Sequence, residues 1–247
     1  MMPYLPPFVK SLFLITLLAA GLTGQEGRVS LSLSANGSSE TVVYRGWPLL
    51  IEVRALYEDG EAVPVQWPSP VRFAIRDEKA AVTWPLQLAV TTEESVIVAA
   101  ERSADGVWVL STEATSALSV GDYTMRANHP VAGASRLLQL KVADEPVELS
   151  REQGSLKARL RSRYEELTGN REAALEMLNQ WLAATPDDIA VLGQKAELLN
   201  DMDQIVDALN SAELAMAAFK DQFKDAKHPP FGLMRRIRML QDKLTPP

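Results

Sequence analysis

A 34-residue echo near the C-terminal end constrains this chain more than any other feature of its sequence. Ala174 returns as Ala208 at this offset, and Ser162 returns as Ala196. The other matched pairs are Leu178 with Ala212, Trp181 with Ala215, and Gly169 with Asp203. Two helices that pack closely need small residues at fixed places, so this period predicts a helical hairpin that occurs twice.

The apolar residues follow a helical period from Ser150 onward. Asp187 and Asp188 are placed to cap a helix, and Pro186 and Pro229 end the segments that precede them. The predicted apolar stripes lie in residues 156–167, 173–181, 192–199, 205–219 and 233–244. They predict two helix pairs and a short closing helix.

The period and its small residues resemble the tetratricopeptide repeat over residues 156–219. The sequence departs from that pattern at Asp203, where a glycine is expected between helices, and at Arg171, which stands where the second unit has Ile205. A helical bundle without repeats is the alternative, because alanine-rich amphipathic helices can produce a similar period. Two units are few for a repeat array, so the helices are expected to pack on the rest of the chain, on a second copy or on a partner.

The resemblance implies a protein that holds partners and does not perform chemistry. The first helix of each pair would form the concave face, which makes four side chains candidates for partner binding. These are Arg159, Arg163, Gln194 and Glu197. Ala174, Ala208 and Ala215 have structural roles in the same resemblance. The alternative for the basic residues of this segment is a solvated helix face.

Apolar residues alternate with polar ones between Gly27 and Val142, which predicts short strands. The strand candidates are residues 29–33, 49–57, 71–76, 84–90, 96–100, 107–110, 123–128 and 137–142. Turn-prone clusters separate them at residues 58–60, 67–70 and 104–106. This spacing predicts an all-β sandwich or barrel.

The segment from Leu118 to Tyr123 resembles the tyrosine corner of immunoglobulin-like and fibronectin type III folds. The resemblance implies a sandwich in which Tyr123 is structural and its hydroxyl bonds to a nearby backbone group. An ordinary turn before a strand is the alternative. The fold class predicted for the whole chain is therefore an all-β, immunoglobulin-like sandwich followed by an all-α, tetratricopeptide-like domain.

The first residues have the layout of a secretory signal peptide. Lys10 precedes an uncharged run, Ser11 to Leu22, that is too short to cross a bilayer, and no acidic residue occurs before Glu26. An uncleaved anchor is the alternative. The chain also has no cysteine, which together with export favours a bacterial periplasm or cell envelope. We therefore expect an exported, periplasmic or extracellular protein with no membrane span in its mature chain.

The chemistry-bearing residues form no recognisable catalytic pattern. Only two histidines occur, His129 and His228, and no Gly-x-Ser-x-Gly, His-Glu-x-x-His or phosphate-binding glycine loop is present. We expect no enzyme activity, no cofactor and no metal. The net charge of −7 disfavours nucleic acid as a partner.

Four of the five tryptophans lie in the β half, and two of them stand beside prolines. Trp47 and Trp67 are predicted as an exposed aromatic pair that could stack on sugar rings or anchor a protein. Packing in a core or at a sheet edge is the alternative.

These observations predict a signal peptide over residues 1–24, a sandwich over 25–145, a linker over 146–150 and a helical domain over 151–247. We expect a non-enzymatic protein–protein interaction or assembly module of the cell envelope. The alternative is a carbohydrate-binding sandwich with a helical docking or dimerisation element. A protein or peptide partner is expected, and glycan binding and homo-oligomerisation stay open.

Overall fold

The computed structural model describes residues 27–92 and 94–245, and it places a region of β-sheets before a region of helices. The predicted order of strands followed by helices is confirmed at this level. The predicted signal peptide, residues 1–24, lies outside the described residues.

The strands run from residue 28 to residue 143. They are β1 (Arg28–Ala35), β2 (Glu40–Tyr44), β3 (Leu49–Asp59), β4 (Val63–Gln66), β5 (Arg72–Arg76), β6 (Ala81–Val82), β7 (Gln87–Thr91), β8 (Ser95–Val98), β9 (Ala104–Leu110), β10 (Gly121–His129), β11 (Gly133–Ala134) and β12 (Leu138–Ala143). A short helix, α1 (Thr112–Ser116), separates β9 from β10.

Two sheets make up most of the β region. The first has the order β1-β3-β9-β7, and the second has the order β2-β12-β10-β5-β6, with β11 paired to β10. A separate pair is formed by β4 and β8. Neighbouring strands are antiparallel except β2 and β12, which run parallel.

One apolar core lies between the two sheets. It draws on both of them, with Ile51 from β3, Ile75 from β5 and Leu140 from β12 among its buried members. Strand β3 shows the predicted alternation, because Ile51, Val53 and Ala55 are all fully buried. Leu50 faces the other side of the same sheet and is also buried, which indicates that something covers that side.

The turn predicted at residues 104–106 is wrong, because these residues begin β9. Ala104 is fully buried opposite Ala55, and Gly106 pairs with Val53. A Cβ atom at Gly106 would lie 2.8 Å from the ring of Trp108. The glycine therefore leaves room for an aromatic side chain and does not mark a turn. The strand candidates also omitted β2, β4, β6 and β11, all of which are short.

Five longer helices follow the strands. They are α2 (Arg151–Leu167), α3 (Arg171–Ala184), α4 (Ile189–Asp201), α5 (Ile205–Gln222) and α6 (Phe231–Leu244). Helix α2 begins with a reciprocal cap, in which Ser150 accepts from the backbone of Gln153 and the Gln153 side chain accepts from the backbone of Ser150. None of the helices within the described ranges is both long and apolar enough to cross a membrane.

The turns that end α2 and α4 have the same construction. Gly169 and Asp203 stand at equivalent positions and both have positive φ, 93° and 61°. The next residue donates backward in each turn, from Asn170 N to Glu165 O and from Gln204 N to Leu199 O, both at 2.8 Å. Asp203 therefore adopts the conformation for which a glycine is expected, and the 34-residue echo extends to the backbone hydrogen bonds.

Helix α2 covers the outer side of the first sheet. Trp47, Leu50 and Val109 from the β region form one buried cluster with Leu160 of α2. Lys157 lies over the Trp47 ring, with its amino group 5.6 Å from the ring centroid, and it pairs with Glu145. The packing of α2 on this side of the sheet explains why the sheet is apolar on both sides around Leu50.

Candidate functional site

A groove of about 410 Å³ lies where the N-terminal halves of α2 and α4 meet the C-terminal end of α5. Its walls include Ser155 and Arg159 from α2, Ile189 and Ala190 from α4, and Phe223 after α5. Phe223 is 53% exposed and stacks on Phe219 at a centroid distance of 5.0 Å. The groove is thus open to solvent and combines apolar and charged side chains.

Asp188 fixes the α4 wall of the groove. One carboxylate oxygen accepts from the backbone N–H groups of Ala190 and Val191, both at 3.1 Å, which caps the first turn of α4. The other oxygen accepts from the indole N–H of Trp181 at 2.8 Å. Because Asp188 is buried, this cap also holds the start of α4 against α3.

An ion pair closes the rim of the groove. Arg151 donates to the Asp187 carboxylate at 2.7 Å, and the Gln222 amide donates to the Asp187 carbonyl at 2.7 Å. The hydrogen bond from Arg151 is the largest influence on Asp187 and holds its pKa below the ordinary value. The rim therefore stays charged at neutral pH, and its positive and negative groups largely cancel.

Arg159 is the second basic side chain that lines the groove, and unlike Arg151 it takes no part in the ion pair at the rim. It is half-buried, and its Nε atom is buried with no hydrogen-bond partner. Within residues 27–92 and 94–245, its guanidinium makes no hydrogen bond and no ion pair. The terminal nitrogens of the guanidinium are not among the buried atoms, so a ligand in the groove can bring an acceptor to them.

The four predicted partner-binding residues are divided between different contacts. The Gln194 amide donates to the backbone carbonyl of Arg159 at 3.0 Å, which ties α4 to α2. Arg163 pairs with Glu166 at 2.8 Å on its own helix. Glu197 pairs with Arg236 of α6. Arg159 and Gln194 are therefore in contact, Arg163 and Glu197 each have a partner within the chain, and the Arg159 side chain has none among the described residues.

The prediction that Trp47 and Trp67 form an exposed aromatic surface is wrong. Their exposed fractions are 2% and 1%. Trp67 donates its indole N–H to the Asp105 carbonyl at 2.9 Å inside the core of the β region. Trp47 is covered by α2, a contact that local sequence does not reveal. Trp84 and Trp108 are buried as well, at 6% and 8%.

The predicted structural residues occupy the packed interior. Ala174, Ala208 and Ala215 are fully buried between helices. The Tyr123 hydroxyl donates to the Ser119 carbonyl at 2.8 Å, which is the kind of bond that the tyrosine corner implies. None of these four residues lines the groove.

The described residues hold no group of three or more histidine, aspartate or glutamate side chains placed to bind a metal ion. His129 is buried among backbone partners. Its Nε2 lies 2.8 Å from the Gln66 carbonyl, and its Nδ1 accepts from the backbone N–H groups of Val131 and Ala132. These bonds tie a loop to the end of β4 and occupy both ring nitrogens.

The sequence interpretation missed the role of Arg151, Asp187 and Gln222 in the rim. The sequence indicates Asp187 only as part of a helix cap. Arg151 and Gln222 show no local pattern, because the rim joins residues that lie far apart in the chain. No protein-family model matches this sequence, and no curated protein is significantly similar to it.

Proposed function

We propose that this chain is an exported, non-enzymatic protein–protein interaction module of the cell envelope, and that the groove at Arg159 receives a segment of the partner. The observation that carries the proposal is the Arg159 guanidinium, which lines the groove and has no hydrogen-bond or ion-pair partner among the described residues. The export part of the proposal depends on the signal-like sequence before Gln25.

The strand orders support an immunoglobulin-like sandwich for the β region. In such folds one sheet has the order A-B-E-D and the other contains C-F-G. The order β1-β3-β9-β7 corresponds to the first, and β5-β10-β12 corresponds to the second. The bond from Tyr123 to Ser119 lies at the start of β10, where a tyrosine corner belongs.

The matched turns after α2 and α4 support tetratricopeptide-like repeats for the helical region. Each helix pair has its small residues at equivalent places, Ala174 in the first and Ala208 in the second. Helices α2 and α4 would then line the inner face, where such arrays hold peptides. The contact between Gln194 and the Arg159 carbonyl joins these two helices at the groove.

A partner segment that brings a hydrogen-bond acceptor to Arg159 fits the groove. A carboxylate could accept two parallel bonds from the Arg159 guanidinium, and the exposed Phe223 offers an apolar contact beside it. The carbohydrate-binding alternative loses its main support, because the tryptophans that suggested it are buried.

The test uses the full chain from Gln25 with Arg159→Glu, which reverses the charge of the groove. The immobilised protein is exposed to an envelope extract of the source cell, and retained proteins are identified by mass spectrometry. We expect a defined protein to be retained by the wild type and to be lost with Arg159→Glu. The intact chain is needed because cutting between the regions would expose Trp47 and Leu160.

Arg136→Glu is the matched control. It makes the same charge change at an exposed position in the β region. Retention of the same proteins by the wild type, Arg159→Glu and Arg136→Glu would remove the groove from consideration. Thermal melts of both variants, read by circular dichroism, check that the fold is kept.

A further inference from the structure

Helix α6 presents a face that no other described residue covers. The helix packs on α5 through Leu233, Ile237 and Leu240. Phe231 and Met234 on its other side are 74% and 40% exposed. The opposite end of the helical region is different, because the first sheet covers α2 around Leu160.

The corresponding face of α4 is covered by a helix. The buried pair Leu233 and Leu240 on α6 has the same spacing as the buried pair Val191 and Leu198 on α4. Superposing these pairs along the two helices brings three α4 residues onto three α6 residues. Leu192, Ala196 and Leu199 fall on Met234, Arg238 and Gln241.

The α4 residues of that comparison form the seat for α5. Leu192, Ala196 and Leu199 share one cluster with Ala208, Ala212 and Ala215 of α5. The equivalent residues of α6 are all exposed. The α6 face is thus in the place where α4 receives α5.

The outward face of α6 is more apolar than the solvent-facing side of a typical terminal helix. Terminal helices of repeat arrays usually turn a polar side outward. Here Phe231, Met234 and Met239 are exposed beside Arg235 and Arg238. Neither arginine makes an ion pair with any described residue. Helix α6 carries four basic residues and a single acidic one, Asp242.

We propose that this outward α6 face, made of Phe231, Met234, Arg235, Arg238 and Met239, binds an acidic amphipathic helix of a partner protein. Continuity with the α4–α5 packing specifies a helix as the occupant, since Met234 and Arg238 of this face correspond to Leu192 and Ala196, which pack on α5. The unpaired arginines specify acidic residues on that helix.

Two other occupants fit the face less well. A second α6 in the same place would bring Arg235 and Arg238 against their own copies, which repel. A membrane-surface helix inserts a continuous apolar side into lipid, whereas Phe231, Met234 and Met239 on this face are interspersed with Arg235 and Arg238. The surface is separate from the Arg159 groove, so failure of either proposal leaves the other standing.

The test selects the partner helix without assuming its charge. A displayed library of 18-residue amphipathic helices, with leucines at helical spacing and every other position drawn from Glu, Lys, Gln and Ala, is selected on the full chain from Gln25. We expect enriched sequences to contain more glutamate than lysine. Their affinity should fall at least about tenfold with Arg238→Glu and with Met234→Ser.

Leu214→Ser is the matched control, because Leu214 is 59% exposed on α5 and lies outside the proposed face. Its affinity for the enriched helices should equal that of the wild type. All the substituted side chains are exposed, and circular dichroism melts check that each variant folds.

Several results would overturn the proposal. One is the absence of enrichment, or enrichment of lysine as often as glutamate. Another is binding that survives both Arg238→Glu and Met234→Ser. Binding to phosphatidylglycerol vesicles that is lost with Arg238→Glu would assign the face to lipid, and Arg238-dependent self-association in sedimentation would assign it to a second copy.

Discussion

The β region and the helical region build their cores from different proportions of large and small side chains. The β core is built from large side chains, with Trp67, Ile51 and Leu110 among those almost completely buried. The core of the last helices depends on small ones, since Ala196, Ala208, Ala212 and Ala215 are fully buried there. Alanine supplies four of the eight buried residues of that helical cluster but five of the 24 buried residues of the β core, so close approach of backbones matters more between the helices.

This difference teaches where each region is vulnerable. Removing a large side chain from a filled core leaves a cavity, and the free energy of unfolding falls in proportion to the lost contacts. Adding atoms where two helices touch forces them apart or strains the side chain. The β region should therefore respond most to truncation, and the helical region most to enlargement.

Trp67→Ala should have the largest effect. The indole is 1% exposed, donates to the Asp105 carbonyl and lies edge-on to Trp108 at a centroid distance of 6.4 Å. We expect the free energy of unfolding to fall by about 3–5 kcal/mol. Chemical denaturation measures the loss, and hydrogen exchange followed by mass spectrometry assigns it to the β strands.

Trp67→Phe is the control for that experiment, because it keeps an aromatic ring and most of the volume and loses the second ring with its N–H. It should retain a large part of the stability. A loss as large as that of Trp67→Ala would mean that the hydrogen bond to Asp105, and not filled volume, dominates this core.

Ala212→Leu should break the helical region by enlargement. Ala212 is fully buried in the cluster that joins α4, α5 and α6. We expect the free energy of unfolding to fall by about 1–3 kcal/mol, with faster amide exchange in α4 and α5. Ala217→Leu, at an exposed position of α5, should change stability little. Equal effects of the two substitutions would contradict close packing at Ala212.

Asp203→Gly should produce the smallest effect, and it should stabilise. Asp203 has φ of 61°, a backbone conformation that raises the free energy of the folded state for an L-residue but not for glycine. The equivalent Gly169 already has this conformation. We expect a gain of about 0.5–1 kcal/mol, measured by the midpoint of chemical denaturation.

The neighbouring Asp201→Gly gives the opposite expectation. Asp201 is the last residue of α4, where glycine lowers helix stability. A gain with both substitutions, or a loss with both, would show that the sign does not depend on the backbone angle at Asp203.

Much of the fold could be predicted because periodicity is a local property. The alternation in β3 identified Ile51, Val53 and Ala55 as one buried side of a strand, and the structure buries all three. The helical stripes and the aspartates before α4 likewise marked helices and a cap that the structure contains. The prediction omitted β2, which pairs with the distant strand β12, and β6, whose two residues are too few to show an alternation.

The candidate site was predicted only in part. Arg159 and Gln194 were placed on neighbouring helices and do meet, because the 34-residue period fixes which faces of α2 and α4 correspond. The pairing of Glu197 with Arg236 was not foreseen, since α6 stands outside that period. The rim formed by Arg151, Asp187 and Gln222 joins three parts of the chain and has no local signature.

The sequence by itself determined the two kinds of secondary structure, the place where one gives way to the other and the small residues between helices. It did so because strand and helix geometry repeat every two and about 3.6 residues, which local spacing records. Only the tertiary structure decided that Trp47 is buried under α2, and that no described residue pairs with Arg159 or covers the outward face of α6. Those outcomes depend on which surfaces meet across long stretches of chain, and no local pattern encodes that.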